Sequence, residues 1–306
     1  MSIIPIVKAG RTFSTEEIAY AKKIVNRCST LSQIELAQTL CEHWEWFTAS
    51  GSCKTTACLG LLRELEEKEF LILPKRANTI PKFVAQPLIT EKTKPQERID
   101  ANLKTYGDIK LTLAKTKKQK ILFNEYLARY HYLGYKKPFG HTLRYFIKSP
   151  HCILGCLLIA GAAKSIAVRD QWIGWSRERR RKNLSWICNN TRFLIFPWVN
   201  IPHLASHALG QLARQICQDC RAHWNYEPLL LETFVDPKHY RGTCYKAANW
   251  IYLGETTGHG HFRTGKMYQT TPKMVFVMPL TKDAQQQLST IDLLTKAQGE
   301  QNDDNI

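Results

Sequence analysis

Two carboxylates four residues apart, Glu232 and Asp236, bracket the end of the mostly apolar run LLLETFV, which leads into DPKHYRGTCYKAANW. Strand ends that feed helix starts are where α/β folds gather ligands, so this stretch is the first candidate for chemistry. The pair offers a general base, a metal-assisted nuclease centre or, for Asp236, the cap of the next helix. Tyr240 and Arg241 follow at what would be the rim of a cleft. A second cluster, Tyr130, His131 and Tyr132 in YHYLGY, joins a group that titrates near neutrality to two rings able to stack on unpaired bases. A histidine satisfied in the core is the plainer alternative. Asn190 and Arg192 in NNTRFLI precede an apolar strand, expected over Arg192 to Trp198, and there a guanidinium can meet phosphate. The run SRERRRKN sets Arg179, Arg180 and Arg181 beside the aromatic WIGWS, and Lys115, Lys117, Lys118 and Lys120 precede YHYLG. Basic runs beside aromatics suit backbone neutralisation with stacking, or else a solvated helix face.

The whole chain favours a polyanionic partner. Its 43 Lys and Arg against 26 Asp and Glu give a formal charge of +17, a field that draws DNA or RNA. With 306 residues and 44% apolar content it is no disordered tail, and at about 100–200 residues per domain two units are expected. Nothing approaches the roughly 18 apolar residues of a membrane span, and MSIIPIVKAGRTFS lacks a long apolar core. A cytoplasmic protein without membrane contact is expected. Ten cysteines in such a chain read as reduced thiols. Cys217, Cys220 and His223 in CQDCRAH lack a second ligand pair at finger spacing, so no metal site is assigned.

The elements that must position these residues fall into four stretches. Residues 12–76 form a helical module: Ser14 caps a helix bearing Glu16 and Glu17, and Ser32 precedes IELAQTLCEHWEW with Ile34, Leu36, Ala37, Leu40 and Trp44 near helical period. A third helix from CKTTACLGLLRELEEKEF turns into LILP, read as a wing strand. The pattern is winged-helix-like, with Lys54, Thr55 and Thr56 toward DNA, or else a three-helix protein-interaction module. Residues 77–120, rich in Pro, Lys, Thr and Gln, read as a linker. Residues 121–281 alternate helices and strands, an α+β or mixed α/β domain. Residues 282–306 read as a polar tail.

The order NNTRFLIFPWV, PHLASHALGQLARQI, LLLETFVDP and GTCYKAANWIYLGET is similar to the core of the GNAT superfamily of N-acetyltransferases. More specifically, YHYLGY, RDQWIGWS, NNTRFLI and ETFVDPKHYRGTCYKAANW, with the N-terminal LCEHWEWFTASGSCKTTACLGLLRELEEKEFLILP, resemble the DruA family of the Druantia anti-phage system. The resemblance implies an N-terminal winged-helix-like module, a GNAT-like mixed α/β domain and work on DNA in a bacterial defence system or mobile element. A helicase-like protein or a transposase is the implied neighbour. It sets His203, Ser206 and Ala208 where the superfamily opens its cofactor-binding helix, without the usual glycine, and Tyr245 where it keeps a tyrosine general acid. Two further functions stay open beside DNA binding: acyl transfer to an amine of a protein or nucleobase, which needs acetyl-CoA, and nucleic-acid cleavage through Glu232 and Asp236, which needs a divalent metal. Without either reaction no cofactor is expected.

Overall fold

The computed structural model describes residues 5–28, 31–48, 52–74, 86–138, 141–258, 271–290 and 293. They fall into two compact units, one ending at Pro74 and the other beginning at Gln86.

In the first unit a hairpin of β1 (Ile6–Lys8) and β2 (Arg11–Phe13) precedes α1 (Thr15–Arg27), α2 (Gln33–His43) and α3 (Thr55–Glu67). Ser14 and Ser32 each accept from the amide three residues on, while Glu17 and Glu35 reach back to the serine amides. These capping boxes fix both helix starts. The core sets Phe13 against Trp44 and Trp46, ring centroids 4.9 and 4.8 Å away, above Leu36, Leu40, Leu61, Leu62 and Leu65. Ile34, expected on the apolar stripe, is exposed instead, because two residues along a helix turn it about 200° from Leu36. Lys54 is the half-buried N-cap of α3 and makes no capping bond. No strand lies between the end of α3 and Pro74, so the expected wing is not found there, and residues 75–85 lie outside the described residues.

The second unit is a mixed α/β layer structure. In chain order come β3 (Ile99–Asp100), β4 (Lys110–Leu113), α4 (Lys117–Tyr130), β5 (Leu143–Lys148), β6 (Ile153–Gly161), α5 (Ala167–Ile173), α6 (Arg177–Asn183), β7 (Ile187–Ile195), β8 (Val199–Asn200) and α7 (Leu204–Trp224). Then follow β9 (Leu230–Val235), α8 (Thr243–Ala247), β10 (Ile251–Glu255), β11 (Met274–Pro279) and α9 (Ala284–Thr290). Seven strands form one sheet in the order β10, β11, β9, β7, β6, β5, β4. Every neighbouring pair is antiparallel except β7 with β9. The near-continuous apolar run of β6 is buried almost throughout, as a strand covered on both faces must be. Helix α7 buries Leu204, Ala208, Leu209, Leu212, Ile216 and Cys220, a stripe at helical period, in the same core as Tyr245 and Phe276. On the other face Phe123, Tyr126 and Leu127 of α4 pack on Phe146, Cys156, Leu158 and Leu194.

Three boundaries differ from those read in the sequence. Residues 77–120 are not a free linker from Gln86 onward: Ile109 and Leu111 are buried, β4 is an edge strand on β5, and Thr93 lies fully buried against Glu125. The hydroxyls of Thr90 and Thr93 and the Thr90 amide all donate to Glu125 Oε1 at 2.6–2.8 Å. Residues 282–306 are not all tail, since α9 buries Ala284 and Leu288 and accepts at Leu288 O from Asn183 Nδ2 at 2.9 Å. Finally, β7 begins at Ile187 rather than Arg192. Asn189 and Asn190 lie inside it because their amides have buried partners, Glu232 and Tyr245. No described helix is long and apolar enough to cross a membrane.

Candidate active site

The parallel pair creates the site. Strands β7 and β9 are in register only from Ile187 with Leu230 to Asn190 with Thr233; beyond that rung both continue unpaired with each other. The parting coincides with a bulge in β7: Leu158 of β6 faces Arg192 and Ile159 faces Asn190, so Thr191 is the extra residue. Bulges bend and twist a strand locally. A cavity of about 310 Å³ opens there, walled by both strands, by Ala205 in the first turn of α7 and by residues around α8.

Alternation along β9 decides which residues reach it. Leu231, Thr233 and Val235 face α7 and α8, so Glu232 must face the other side. Thr233 lines the cavity; Glu232 does not. Glu232 is completely buried, with Oε2 taking Arg169 Nη1 at 2.7 Å and Oε1 taking the Ala163 amide at 2.6 Å. Burial pushes this carboxyl up even as the Arg169 guanidinium pulls it down. A carboxylate closed off in this way contacts no substrate in the cavity, which removes the stated ground for giving it a catalytic role. Asp236 does line the cavity wall. Its carboxylate accepts from Lys273 Nζ and, at 3.0 Å, from the Lys238 amide, and the ammonium lowers its pKa. Among the described residues no three His, Cys, Asp or Glu side chains gather as a metal site.

At the deep end Tyr245, Asn190 and Thr233 form a buried polar cluster. The Tyr245 phenol oxygen accepts from Asn190 Nδ2 at 3.1 Å and stands 3.4 Å from Thr233 Oγ1, which donates to the Asn190 carbonyl at 3.0 Å. Burial raises the phenol pKa further above its ordinary value, so it stays protonated at neutral pH. The phenol's own proton is left for an occupant of the cavity. Asn190 Oδ1, on a residue only 3% exposed, has no partner. Tyr245 is held by Phe276, stacked 5.6 Å away, and by Gly242, where φ is +67° and an added Cβ would lie 2.5 and 2.7 Å from Phe276 ring carbons. Gly242→Ala is therefore expected to cost about 2–4 kcal/mol in urea unfolding, from the left-handed backbone and the overpacked ring together. A loss below about 1 kcal/mol would show that Phe276 gives way freely.

The mouth is aromatic. Tyr132, 40% exposed, stacks on His131 at 4.9 Å and meets His239 at 4.7 Å and Tyr240 at 5.7 Å, with Tyr240 55% exposed. Arg241 is exposed on the same wall. His131 caps the C-terminus of α4, and its Nδ1 accepts from the Leu133 amide at 3.1 Å. Burial and the Arg192 charge lower its pKa to about 4. In proton NMR its ring should accordingly show no midpoint near 6.5 and titrate only as the pH falls toward about 4. A native midpoint at the ordinary value would contradict this burial.

The remaining sequence candidates are placed elsewhere. Tyr130 is packed against Phe196 and Trp198, with its hydroxyl on Thr93 O at 2.6 Å, so it is no stacking surface. Helical spacing explains this, since it shares a face with Tyr126. Arg192 donates to Gly134 O at 3.3 Å and to Thr191 O at 2.7 Å, and it braces the loop that carries His131 and Tyr132. Arg180 is tied to Asp170 and Ser165 at 2.9 Å; Arg179 and Arg181 share its helix α6, and none of the three lines the cavity. His203 precedes α7 with φ +66°, Ser206 Oγ donates to its carbonyl at 3.0 Å, and Ala208 is buried. Reading the sequence missed Arg169, the buried partner of Glu232, and Thr233 and Ala205 in the cavity wall.

A sequence profile of Druantia protein DruA matches residues 66–271, two thirds of the chain. The chain belongs to the DruA family. The DruA match begins within α3, so of the N-terminal stretch that carried the resemblance, Leu40 to Leu65 precede it and Glu66 to Pro74 lie inside it. No curated protein matches the chain. Among solved structures, it is similar to an N-acyl amino acid synthase from uncultured soil microbes, at 11% identity over 60% of this chain and 95% of that one with a TM-score of 0.34. It is also similar to a spermidine N-acetyltransferase chimera from Vibrio cholerae, at 9% identity over 57% and 96% with a TM-score of 0.34. A Bacillus subtilis acetyltransferase in complex with CoA matches at 8% identity over 57% and 100% with a TM-score of 0.32.

Proposed function

We propose that this DruA-family chain is an acyl-thioester-dependent transferase that acylates an amine in the splay between β7 and β9, within a GNAT-like domain. One observation carries the reading: the protonated hydroxyl of Tyr245 stands in a cavity that also reaches the first turn of α7. The residues present fit such a donor. Helix α7 has 21 residues; the Leu204 amide donates to Ile201 O at 3.2 Å, and the remaining first-turn amides, those of Ala205 and Ser206, lack partners within the helix and favour a phosphate. Ala205 keeps the wall beside them small. Ser206 replaces the superfamily glycine, but its hydroxyl is tied back to the His203 carbonyl. Phe193, Leu194 and Ile195 supply an apolar wall for the acyl arm.

An acyl thioester bound there supplies an activated acyl carbonyl, so that an N–C bond forms as a C–S bond breaks. Tyr245 holds at its phenol oxygen the proton that the departing sulfur takes. Asn190 and Thr233 fix that oxygen, the proton shed by the amine leaves through the open mouth to water, and water returns one to the Tyr245 phenolate, so that the protons balance over a turnover. The setting we propose is the Druantia anti-phage system, with DNA as the material acted on and a helicase-like or transposase partner. The +17 charge supports a polyanionic partner.

Titration calorimetry of the whole chain with acetyl-CoA tests the reading. Saturable binding is expected, and Ala205→Glu, which adds a carboxylate at the wall, should abolish it. No binding up to about 1 mM ligand, an affinity worth less than about 4 kcal/mol, removes the reading.

A further inference from the structure

The cavity holds an unmet acceptor and an aromatic mouth that the transfer reading alone does not use. Asn190 Oδ1 is buried, lies in a residue of the wall and has no donor. A buried acceptor without a partner costs free energy that a donor on a ligand recovers. The amine classes available differ in charge. A polyamine or lysine is cationic and needs free carboxylates, yet the one carboxylate of the wall among the described residues, Asp236, is already held by Lys273, and Arg241 stands exposed on the same wall. Lys136, Lys137 and Lys238, close to the mouth in sequence, are exposed as well. The mouth therefore repels a free cation and attracts a polyanion. At its entrance Tyr132 and Tyr240 expose ring surface, their centroids 5.7 Å apart and their planes inclined by 62°, so a flat ring can stack on one of them and meet the other edge-on. About 310 Å³ is at the small end of ligand cavities and admits a single ring system rather than a duplex.

We infer that the acceptor taken by this cavity is an unpaired nucleobase with an exocyclic amine, adenine, cytosine or guanine, in a single-stranded nucleic acid. The base stacks on one of Tyr132 and Tyr240 and meets the other edge-on, its amine donates to Asn190 Oδ1, and Arg241 meets the backbone phosphate. This names the substrate class of the transfer reading and rests on it for the role of the amine, but its binding step can be measured without any thioester.

Fluorescence anisotropy of the full chain with labelled dA, dC and dT oligonucleotides and a hairpin duplex, at fixed salt and with no thioester, reads the binding directly. The dA and dC strands should bind about tenfold more tightly than dT, the worth of one hydrogen bond. Tyr132→Ala and Tyr240→Ala, both at exposed positions, should each weaken single-strand binding by about tenfold and leave duplex binding unchanged. Asn190→Ser should erase the preference over dT; the tyrosine variants keep the test open if it fails to fold. Equal binding of dT, indifference to both tyrosine variants, or preference for the duplex would each overturn the inference. The expected oligonucleotide pattern without acetyl-CoA binding would leave the base pocket standing and remove the transferase reading; the reverse result would do the opposite.

Discussion

Arg169→Met is expected to lower folding stability by about 3–5 kcal/mol. Arg169 and Glu232 are both completely buried, and the guanidinium spends its donors on Glu232, the Ala163 carbonyl and Asp170, at 2.7–3.0 Å. Asp170 in turn accepts from Trp175 Nε1 at 3.1 Å and from Arg180 at 2.9 Å. Methionine fills much of the volume but leaves the Glu232 charge with only an amide and an asparagine in a dry interior. The double variant Arg169→Met with Glu232→Leu removes both charges and should recover most of the loss, because paired burial is costly to break and cheap to replace. Urea unfolding of the three proteins decides; a single-variant loss below about 1 kcal/mol would mean that water reaches the pair. The pH dependence gives a second check. Without Arg169 its downward pull on Glu232 is gone, and burial, with the nearby Asp170 charge, raises the pKa further. The native state then binds more protons than the unfolded chain between the unfolded and folded values. Stability of the single variant should thus fall as pH rises through that window, and the variant should be relatively stronger near pH 5 than near pH 8.

This network also shows where the sequence was readable. The serines that start α1 and α2 could be read from spacing alone, because a capping box is local chemistry. Helix α7 and strand β9 were legible for the same reason: Leu204, Leu212 and Ile216 keep helical period, and LLLETFV is short, apolar and bounded by turn residues. What was hidden is long-range. Arg169 and Glu232 are 63 residues apart, and no spacing rule links them. The pair Asn189 and Asn190 looks like a turn, since asparagine disfavours strands. It sits in mid-strand because β9 and α8 bring it buried partners, so tertiary contacts override propensity. Strand β4 was concealed by Lys and Thr on its exposed face, leaving too few apolar residues for a period to show. In the candidate site, His131, Asn190, Asp236, Tyr240, Arg241 and Tyr245 were named from residue type or resemblance, and all of them line the cavity. Ala205 and Thr233 were not, because a small side chain or a hydroxyl announces nothing until the strands part beside it.

Tyr245→Phe is expected to slow the proposed acyl transfer by about 10²-fold or more, the usual worth of a positioned proton donor. The substitution keeps the ring, its stacking on Phe276 and its edge contact with Trp250, and removes only the hydroxyl. Stability should change little, by about 1 kcal/mol, since one hydrogen bond to Asn190 is lost. Binding of acetyl-CoA, measured by calorimetry, should be preserved, because the α7 amides and the apolar wall are untouched. The loss then falls on kcat alone, which separates a proton donor from a residue that merely shapes the cavity. Thr233→Val is the companion: it removes a neighbouring hydroxyl from the same cluster but no transferable proton aimed at the occupant, so a smaller loss is expected. The sign of the pH profile gives independent evidence. A general acid works while protonated, so activity is lost as pH rises through its pKa, and burial moves that value for Tyr245 above the ordinary tyrosine range. No alkaline fall should therefore begin below about pH 10 in the native protein. With acetyl-CoA and an oligonucleotide or simple amine as acceptor, thiol release per turnover reads both quantities. If Tyr245→Phe matches the native rate while the donor still binds, the phenol is structural and the proton comes from water at the mouth.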